Sequence, residues 1–154
     1  MSDWAQTTRL STRVTLAEGL VIQGEVHLQP VVAWRDGPES LLEMLNRPEA
    51  FFVMNLPSGE VVFVGKAQVA SVVTQVERHA EPERETAARH IPLEVMMRGG
   101  AEFRGEAVTE LPPDHARALD FLNAPGKFLE LHTAEGSCCL NRSWVRAVRP
   151  LGVR

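Results

Sequence analysis

The sequence predicts a mainly β protein with short helices, made of two tandem copies of one five-stranded unit. The repeat is visible in one phrase, because MLNRPEAFFVM at residues 44–54 returns as FLNAPGKFLEL at residues 121–131. Around each phrase, apolar residues alternate with polar ones, a period typical of strands that bury one face. The repeat is the first feature to establish, because it governs the interpretation of every other element.

Two strands joined by a glycine turn open each copy. Val14 in the first strand matches Val95, and Gly19 in the turn matches Gly100. Glycine tolerates positive φ and therefore suits a tight turn between antiparallel strands. We expect a hairpin at the start of each copy.

A connector and a short helix follow each hairpin. Apolar residues at helical spacing predict these helices at Leu41, Leu42 and Leu45, and again at Ala118, Leu119 and Leu122. Three further strands complete each copy. The predicted unit is therefore strand, strand, helix, strand, strand, strand.

The repeated phrase is interpreted as the end of the helix and the start of the third strand. Asparagine suits a helix C-terminus because it tolerates the left-handed conformation found there. The proline two residues later cannot continue the helix. The phenylalanine then begins a strand, and we expect its ring to be buried against the helix. The six residues that define this joint are Asn46, Pro48, Phe51, Asn123, Pro125 and Phe128.

The chain divides into three segments on this interpretation. We place the first copy at residues 1–75, a charged linker at 76–91 and the second copy at 92–154. A unit of about 60 residues has a marginal core by itself. We therefore expect the two copies to pack as a pseudo-twofold pair, with the helices at their interface.

Composition indicates an ordinary globular protein. The chain has 154 residues, of which 44% are hydrophobic and 23% charged, and its net charge is −4. No apolar run approaches the ~20 residues that span a bilayer, and no basic-then-apolar signal sequence begins the chain. We expect a cytoplasmic protein that does not enter a membrane.

No group of residues predicts catalysis, a cofactor or a metal. His132, Cys138 and Cys139 lie close in sequence, but adjacent cysteines in a strand face opposite ways, which argues against a disulfide between them and against a shared metal. We expect one cysteine to be buried and the other more exposed. Glu25 and Glu106 share a repeat position and are interpreted as solvent-facing, since charged residues are rarely buried unpaired. The sequence predicts a protein that is not an enzyme.

Four stretches resemble the Sm-like family, a group of small SH3-type barrels that includes a bacterial RNA chaperone. VTLAEGLVIQGEV at 14–26 resembles the first two strands of that family, and VFVGKAQVASVV at 62–73 resembles the last two. Residues 93–107 and 139–150 are the matching stretches of the second copy. The resemblance implies two tandem five-stranded barrels, each with a helix inserted between strands 2 and 3.

The resemblance carries over only part of the family's RNA site. In the family, a short loop between strands 2 and 3 helps hold RNA, and here residues 29–50 are inserted at that point. At the other RNA loop, the matching positions are Gly65, Lys66, Asn141 and Arg142. The resemblance implies RNA contacts at these four positions alone.

Basic and aromatic residues provide one further hint. Arg142 and Arg146 flank Trp144 in the last strand, a pattern that resembles a nucleic-acid patch. Arginines on the solvent face of an edge strand, where they discourage aggregation, explain the same pattern. Trp34 lies in the connector and either folds over the barrel or anchors a partner.

The absence of a catalytic cluster and the exposed sheet edges favour a protein-binding or scaffold module that works by strand addition. The alternative is an RNA- or DNA-binding module that uses Lys66, Arg142, Trp144 and Arg146. A third hypothesis is a small ligand bound between the copies. The chain is expected to act as a monomer of two repeats or as a homo-oligomer.

Overall fold

The computed structural model describes residues 7–34, 36–74, 89–109 and 115–151. The first half contains β1 (Thr8–Leu16), β2 (Val21–Leu28), α1 (Leu41–Asn46), β3 (Phe51–Asn55), β4 (Val61–Gly65) and β5 (Val69–Thr74). The second half contains β6 (Arg89–Met97), β7 (Glu102–Thr109), α2 (His115–Leu122), β8 (Phe128–Thr133), β9 (Gly136–Asn141) and β10 (Val145–Pro150). Each half has the predicted order of elements.

All strand pairs are antiparallel, and the ten strands form one open sheet. Their order is β10-β6-β7-β8-β9-β5-β1-β2-β3-β4. The prediction of a mainly β protein with two short inserted helices is confirmed. The arrangement as two barrels is not confirmed. Within the described residues no strand pair closes the sheet, and β9 of the second half pairs with β5 of the first half in the same sheet.

The halves meet through two different strands. β5 of the first half pairs with β9 of the second, in a register that places Val72 opposite Cys139. In the repeat, the counterpart of β5 is β10 and the counterpart of β9 is β4. A twofold pair would either join equivalent strands or repeat this contact between β4 and β10, and the order of the described strands shows neither pairing. The predicted pseudo-twofold pair is not confirmed, and the two halves follow one another head to tail in the sheet.

Matching glycines have matching roles. Gly19 has φ +82° and Gly100 has φ +96°, so both supply the positive φ that their hairpins need. A Cβ on Gly24 would lie 2.5 Å from the Asn55 carbonyl oxygen. In the second half, a Cβ on Gly105 would lie 2.8 Å from the carbonyl oxygen of His132. These two glycines allow strands 2 and 3 of each half to approach closely.

Two apolar cores lie along the sheet, and the strands at the junction contribute to both. The first core is built mainly by the first half but includes Phe128 and Cys139 from the second. The second core includes Cys138 and also Val73, which comes from β5. β9 thus buries both of its faces.

The two cysteines face opposite sides of β9, as predicted, and both are buried free thiols. Burial raises the pKa of Cys138 to about 12 and raises that of Cys139 well above its usual value. The expectation of one exposed cysteine was wrong, because β9 has a core on each side.

The predicted linker lies almost entirely outside the described residues. β6 begins at Arg89, so residues 89–91 of the predicted linker belong to a strand. Within the described residues, no helix has the length and apolar character needed to cross a lipid bilayer.

Candidate functional site

Lys66 lies at the C-terminal end of α1, and its ammonium group is hydrogen-bonded to that helix. Its Nζ donates hydrogen bonds to the carbonyl oxygens of Met44 and Arg47, each at 3.0 Å. Lys66 is only 3% exposed, and burial lowers its pKa from the usual value. The last carbonyls of a helix lack the usual i+4 donors, and Lys66 supplies a donor to Arg47 and a second one to Met44, which also accepts from the Arg47 N–H at 3.3 Å.

Arg142 performs the same task at the end of α2. Its guanidinium donates to the carbonyl oxygen of Phe121 at 3.4 Å and also to that of Leu122. Burial lowers the pKa of Arg142. The basic residues at the two matching loop positions are thus helix-capping residues, and the sequence pattern concealed this because each cation follows its helix by about 20 residues.

Trp144 covers the junction between the halves. Its indole Nε1 donates to the carbonyl oxygen of Ala67 at 3.2 Å. The guanidinium of Arg98 lies 3.9 Å from the centre of the ring, so a cation occupies one face of the indole. Arg146 and Arg149 are exposed on β10 nearby in sequence.

Trp34 is exposed and lies beside α1. Its Nε1 donates to the Glu43 carboxylate. Glu43 also completes a capping box with Ser40 at the start of the helix, which explains why α1 begins there. Lys66 and Arg142 line one cavity, whose lining does not include the other three predicted binding residues, Trp34, Trp144 and Arg146.

Asn46 connects the two halves. Its Oδ1 accepts from the backbone N–H of Phe128 at 2.8 Å, and its Nδ2 donates to the Phe128 carbonyl oxygen at 3.3 Å. The left-handed conformation predicted for Asn46 and Asn123 is wrong, because Glu18 is the only described residue other than glycine with positive φ. The Asn46 side chain instead pairs with both backbone polar groups of Phe128, as a residue of a neighbouring strand would do.

The β3–β4 hairpin exposes a group of large apolar side chains. Phe51 is 63% exposed and Phe63 is 64% exposed, and Val61 on the same strand face is exposed as well. We call Phe51, Val61 and Phe63 the hairpin patch. Cross-strand pairs place Phe51 opposite Gly65 and Val53 opposite Phe63, so these residues share one face of the sheet.

The predicted burial of Phe51 against its helix is therefore wrong, whereas its counterpart Phe128 is 1% exposed. The difference is one of position, since β8 lies inside the sheet and β3 lies beside its edge. A signal for the patch was present in the sequence. The run VVFV at residues 61–64 is continuously apolar, which is typical of a strand covered on both faces.

A cavity of about 350 Å³ opens at the junction between the halves. Its lining includes Lys66, Lys127, Asn141 and Arg142. Lys66 and Arg142 are already hydrogen-bonded to helix carbonyls. In the described part of the chain, no group of three or more His, Cys, Asp or Glu side chains is placed to hold a metal ion.

No family model, no curated protein and no solved structure matches the chain.

Proposed function

We propose that this protein is a non-enzymatic protein-binding scaffold module, in which a strand of another polypeptide chain adds to the β4 edge and covers the hairpin patch. The observation that supports this most directly is the exposure of Phe51 and Phe63 at about two-thirds each beside an edge strand. Contiguous exposed apolar groups mark interaction surfaces, and an edge strand presents backbone groups for pairing.

The two ends of the sheet differ in chemistry. Natural edge strands are commonly blunted by charged residues or by proline. β10 carries Arg146, Arg149 and Pro150, whereas β4 has the sequence VVFVG with neither charge nor proline. The β4 edge therefore lacks the usual protection against pairing, which is what a binding edge requires.

Burial of the patch would supply much of the binding energy. Complete burial of a phenylalanine side chain contributes about 1.5–3 kcal/mol. Phe51 and Phe63 retain about two-thirds of that surface exposed, so the two rings together would contribute about 2–4 kcal/mol. Backbone hydrogen bonds to β4 would add geometric specificity.

The Sm-like architecture is part of the same proposal. Each half arranges its five strands in the same spatial order, β5-β1-β2-β3-β4 in the first and β10-β6-β7-β8-β9 in the second. This correspondence supports two small barrel-like units of common design that share one sheet. The cytoplasmic location and the absence of enzymatic activity remain predictions.

The test is crosslinked capture from the native cytoplasm, with protein and nucleic acid scored together. The hairpin variant carries Phe51→Glu and Phe63→Glu. The control variant carries Leu20→Glu and Val31→Glu, two apolar residues that are exposed elsewhere. We expect the wild type and the control to capture the same protein and the hairpin variant to lose it. Equal capture by all three, or recovery of nucleic acid alone, would contradict the proposal.

A second candidate is nucleic-acid binding by β10. Arg146 and Arg149 are exposed there, and Arg98 stacks on the adjacent Trp144. Lys66 and Arg142 do not favour this function, since helix carbonyls hold both. The candidate predicts salt-sensitive binding of short RNA or DNA that Arg146→Ala with Arg149→Ala abolishes. Failure to bind at low salt would exclude it.

A further inference from the structure

Two hydrogen bonds at the ends of the β3–β4 hairpin determine which backbone groups of β4 point away from the sheet. At the turn, the N–H of Leu56 donates to the carbonyl oxygen of Glu60 at 2.8 Å. At the other end, the N–H of Lys66 donates to the carbonyl oxygen of Ala50, also at 2.8 Å. Antiparallel pairs alternate between hydrogen-bonded and non-hydrogen-bonded positions, so every second residue between Glu60 and Lys66 directs its N–H and C=O groups to the outer edge. These outward positions are Val61, Phe63 and Gly65.

The outward positions are symmetric about Phe63. We propose that the occupant of the β4 edge is β4 of a second copy of this chain, paired antiparallel about Phe63 in a twofold dimer. Phe63 of one chain then faces Phe63 of the other, and Val61 of each faces Gly65 of the other. Outward positions meet only outward positions, so every pair exchanges two backbone hydrogen bonds. This inference rests on the proposed function, since it names the chain that covers the same edge.

The side chains of the hairpin patch come together in this pairing. Phe63 meets its own copy across the twofold axis, and cross-strand aromatic pairs contribute more than their buried area alone. A Cβ on Gly65 would lie 3.4 Å from the Phe51 ring, so this ring lies over the glycine and reaches the outer edge of β4. Val61 of the second copy, opposite Gly65, therefore packs against the Phe51 ring. Both phenylalanines, each about two-thirds exposed in one chain, become covered.

The other face of β4 gains a contact as well. Val64 is 3% exposed and belongs to the first core, whereas Val62 packs against that core and is only half-buried. A register centred on Phe63 places Val62 of each chain opposite Val64 of the other. The apolar row of the first core thus continues across the joined strands.

The charges at the two ends of β4 are complementary in this register. Glu60 is exposed and falls opposite Lys66 of the second copy. The charged groups that act on Lys66 are Glu49, Arg47, Lys127 and Glu39. With Lys66 itself, three cations and two carboxylates give that end of β4 a net charge of +1. The Glu60 carboxylate of one chain is therefore attracted to this end of the other chain.

The opposite edge of the sheet limits the assembly to two chains. β10 carries Arg146, Arg149 and Pro150, and charge and proline are what blunt a natural edge. A twofold pair uses the β4 edge of both chains and leaves only β10 edges on the outside. A single pair of strands forms a small interface, so we expect the dimer to dissociate on dilution.

Sedimentation velocity of the full-length chain over a wide concentration range tests the dimer. The wild type and the control variant, Leu20→Glu with Val31→Glu, should pass from monomer to dimer and form nothing larger. The hairpin variant, Phe51→Glu with Phe63→Glu, should raise the dissociation constant by at least about 100-fold, because it removes the buried rings and sets like charges across the axis. All four positions are exposed, so circular dichroism should show the same fold in both variants.

Single cysteines test the register. The native thiols are buried, so a cysteine introduced at the edge is the reactive one. Hydrogen-bonded pairs have Cα atoms about 5.5 Å apart, within reach of a short thiol crosslinker. Chains with Val61→Cys and Gly65→Cys should link to each other. Neither should link to its own copy, because equal positions lie about 13 Å apart along the strands. A chain with Val31→Cys, mixed with Gly65→Cys, is the matched control and should not link.

Four results would overturn the inference. They are a wild type that stays monomeric at every concentration, assemblies larger than a dimer, a dimer that survives in the hairpin variant, and crosslinks that do not join Val61→Cys to Gly65→Cys. If the wild type is monomeric but capture from the cytoplasm still yields a protein that the hairpin variant loses, the proposed function stands and this inference fails. If neither the dimer nor the capture is seen, both fail.

Discussion

Replacement of Asn46 by alanine tests the contact that ties the two halves together. The variant loses the bond from the Phe128 N–H at 2.8 Å and the bond to the Phe128 carbonyl oxygen at 3.3 Å. Each buried backbone group left without a partner costs about 1–3 kcal/mol. Asn46 is half-buried, so water can reach part of the gap. We therefore expect a loss of about 2–3 kcal/mol in the free energy of unfolding.

Chemical denaturation measures this loss. For a chain of this size, about 2–3 kcal/mol corresponds to a fall in Tm of roughly 4–12 °C. The denaturant midpoint should fall while the slope m is unchanged. The matched control is Asn123→Ala, which removes the same side chain from the exposed counterpart. The control should change the free energy of unfolding by less than about 0.5 kcal/mol.

The comparison has a clear refuting result. Equal destabilisation by Asn46→Ala and Asn123→Ala in the monomer would mean that both asparagines act within their own helices. The interpretation of Asn46 as a bridge to Phe128 would then be wrong.

Three further predictions concern stability. Lys66→Met removes the ammonium donor from the carbonyl oxygens of Met44 and Arg47, of which Met44 keeps the Arg47 N–H at 3.3 Å, so the free energy of unfolding should fall by about 1–3 kcal/mol. An unchanged Tm in a thermal melt would contradict the capping role. The pKa of Cys138 is about 12 in the fold and 9.0 for a free thiol, so the buried thiol contributes its full share to the free energy of unfolding below pH 9. This contribution is lost as the pH rises toward 12, by up to about 1.4 kcal/mol per pH unit. From pH 8 to 11, the free energy of unfolding of Cys138→Ala should fall less steeply than that of the wild type. The lowered pKa of Lys66 has the opposite effect on stability, but it acts equally in both proteins and cancels in the comparison. Parallel curves would show that burial of the Cys138 thiol does not cause the loss. Gly24→Ala places a Cβ 2.5 Å from the Asn55 carbonyl oxygen and should cost about 1–3 kcal/mol, whereas Gly65→Ala meets only the edge of the Phe51 ring at 3.4 Å and should cost less in the same melt.

Local patterns in the sequence predict much of this fold correctly. The order of the elements, the glycine hairpins and the two inserted helices follow from period and turn chemistry, which operate over a few residues. The opposed cysteines follow from the alternation of side chains along a strand. The duplication was equally accessible, because the recurring phrase compares the chain with itself.

The candidate site was less predictable, because its residues act across long separations in the chain. Lys66 and Arg142 have the charge and loop position of nucleic-acid contacts, yet each folds back onto the end of a helix. The ion pair between the half-buried Arg47 and the buried Glu39 was also missed, since Arg47 belongs to the repeated phrase but has alanine as its counterpart. Which groups a long cation reaches depends on the path of the backbone and not on the residue type.

The sequence by itself determined that each half contains the same unit and that the same joint ends each helix. Only the tertiary structure decided that the two units follow one another head to tail. Phe51 and Phe128 have the same local sequence and the same strand position, yet one is exposed and the other is buried. The burial of a strand residue depends on which strands lie beside it as much as on the residue itself. β9 has β5 beside it and β4 has no described strand beyond it, so the same phrase is core in one half and surface in the other.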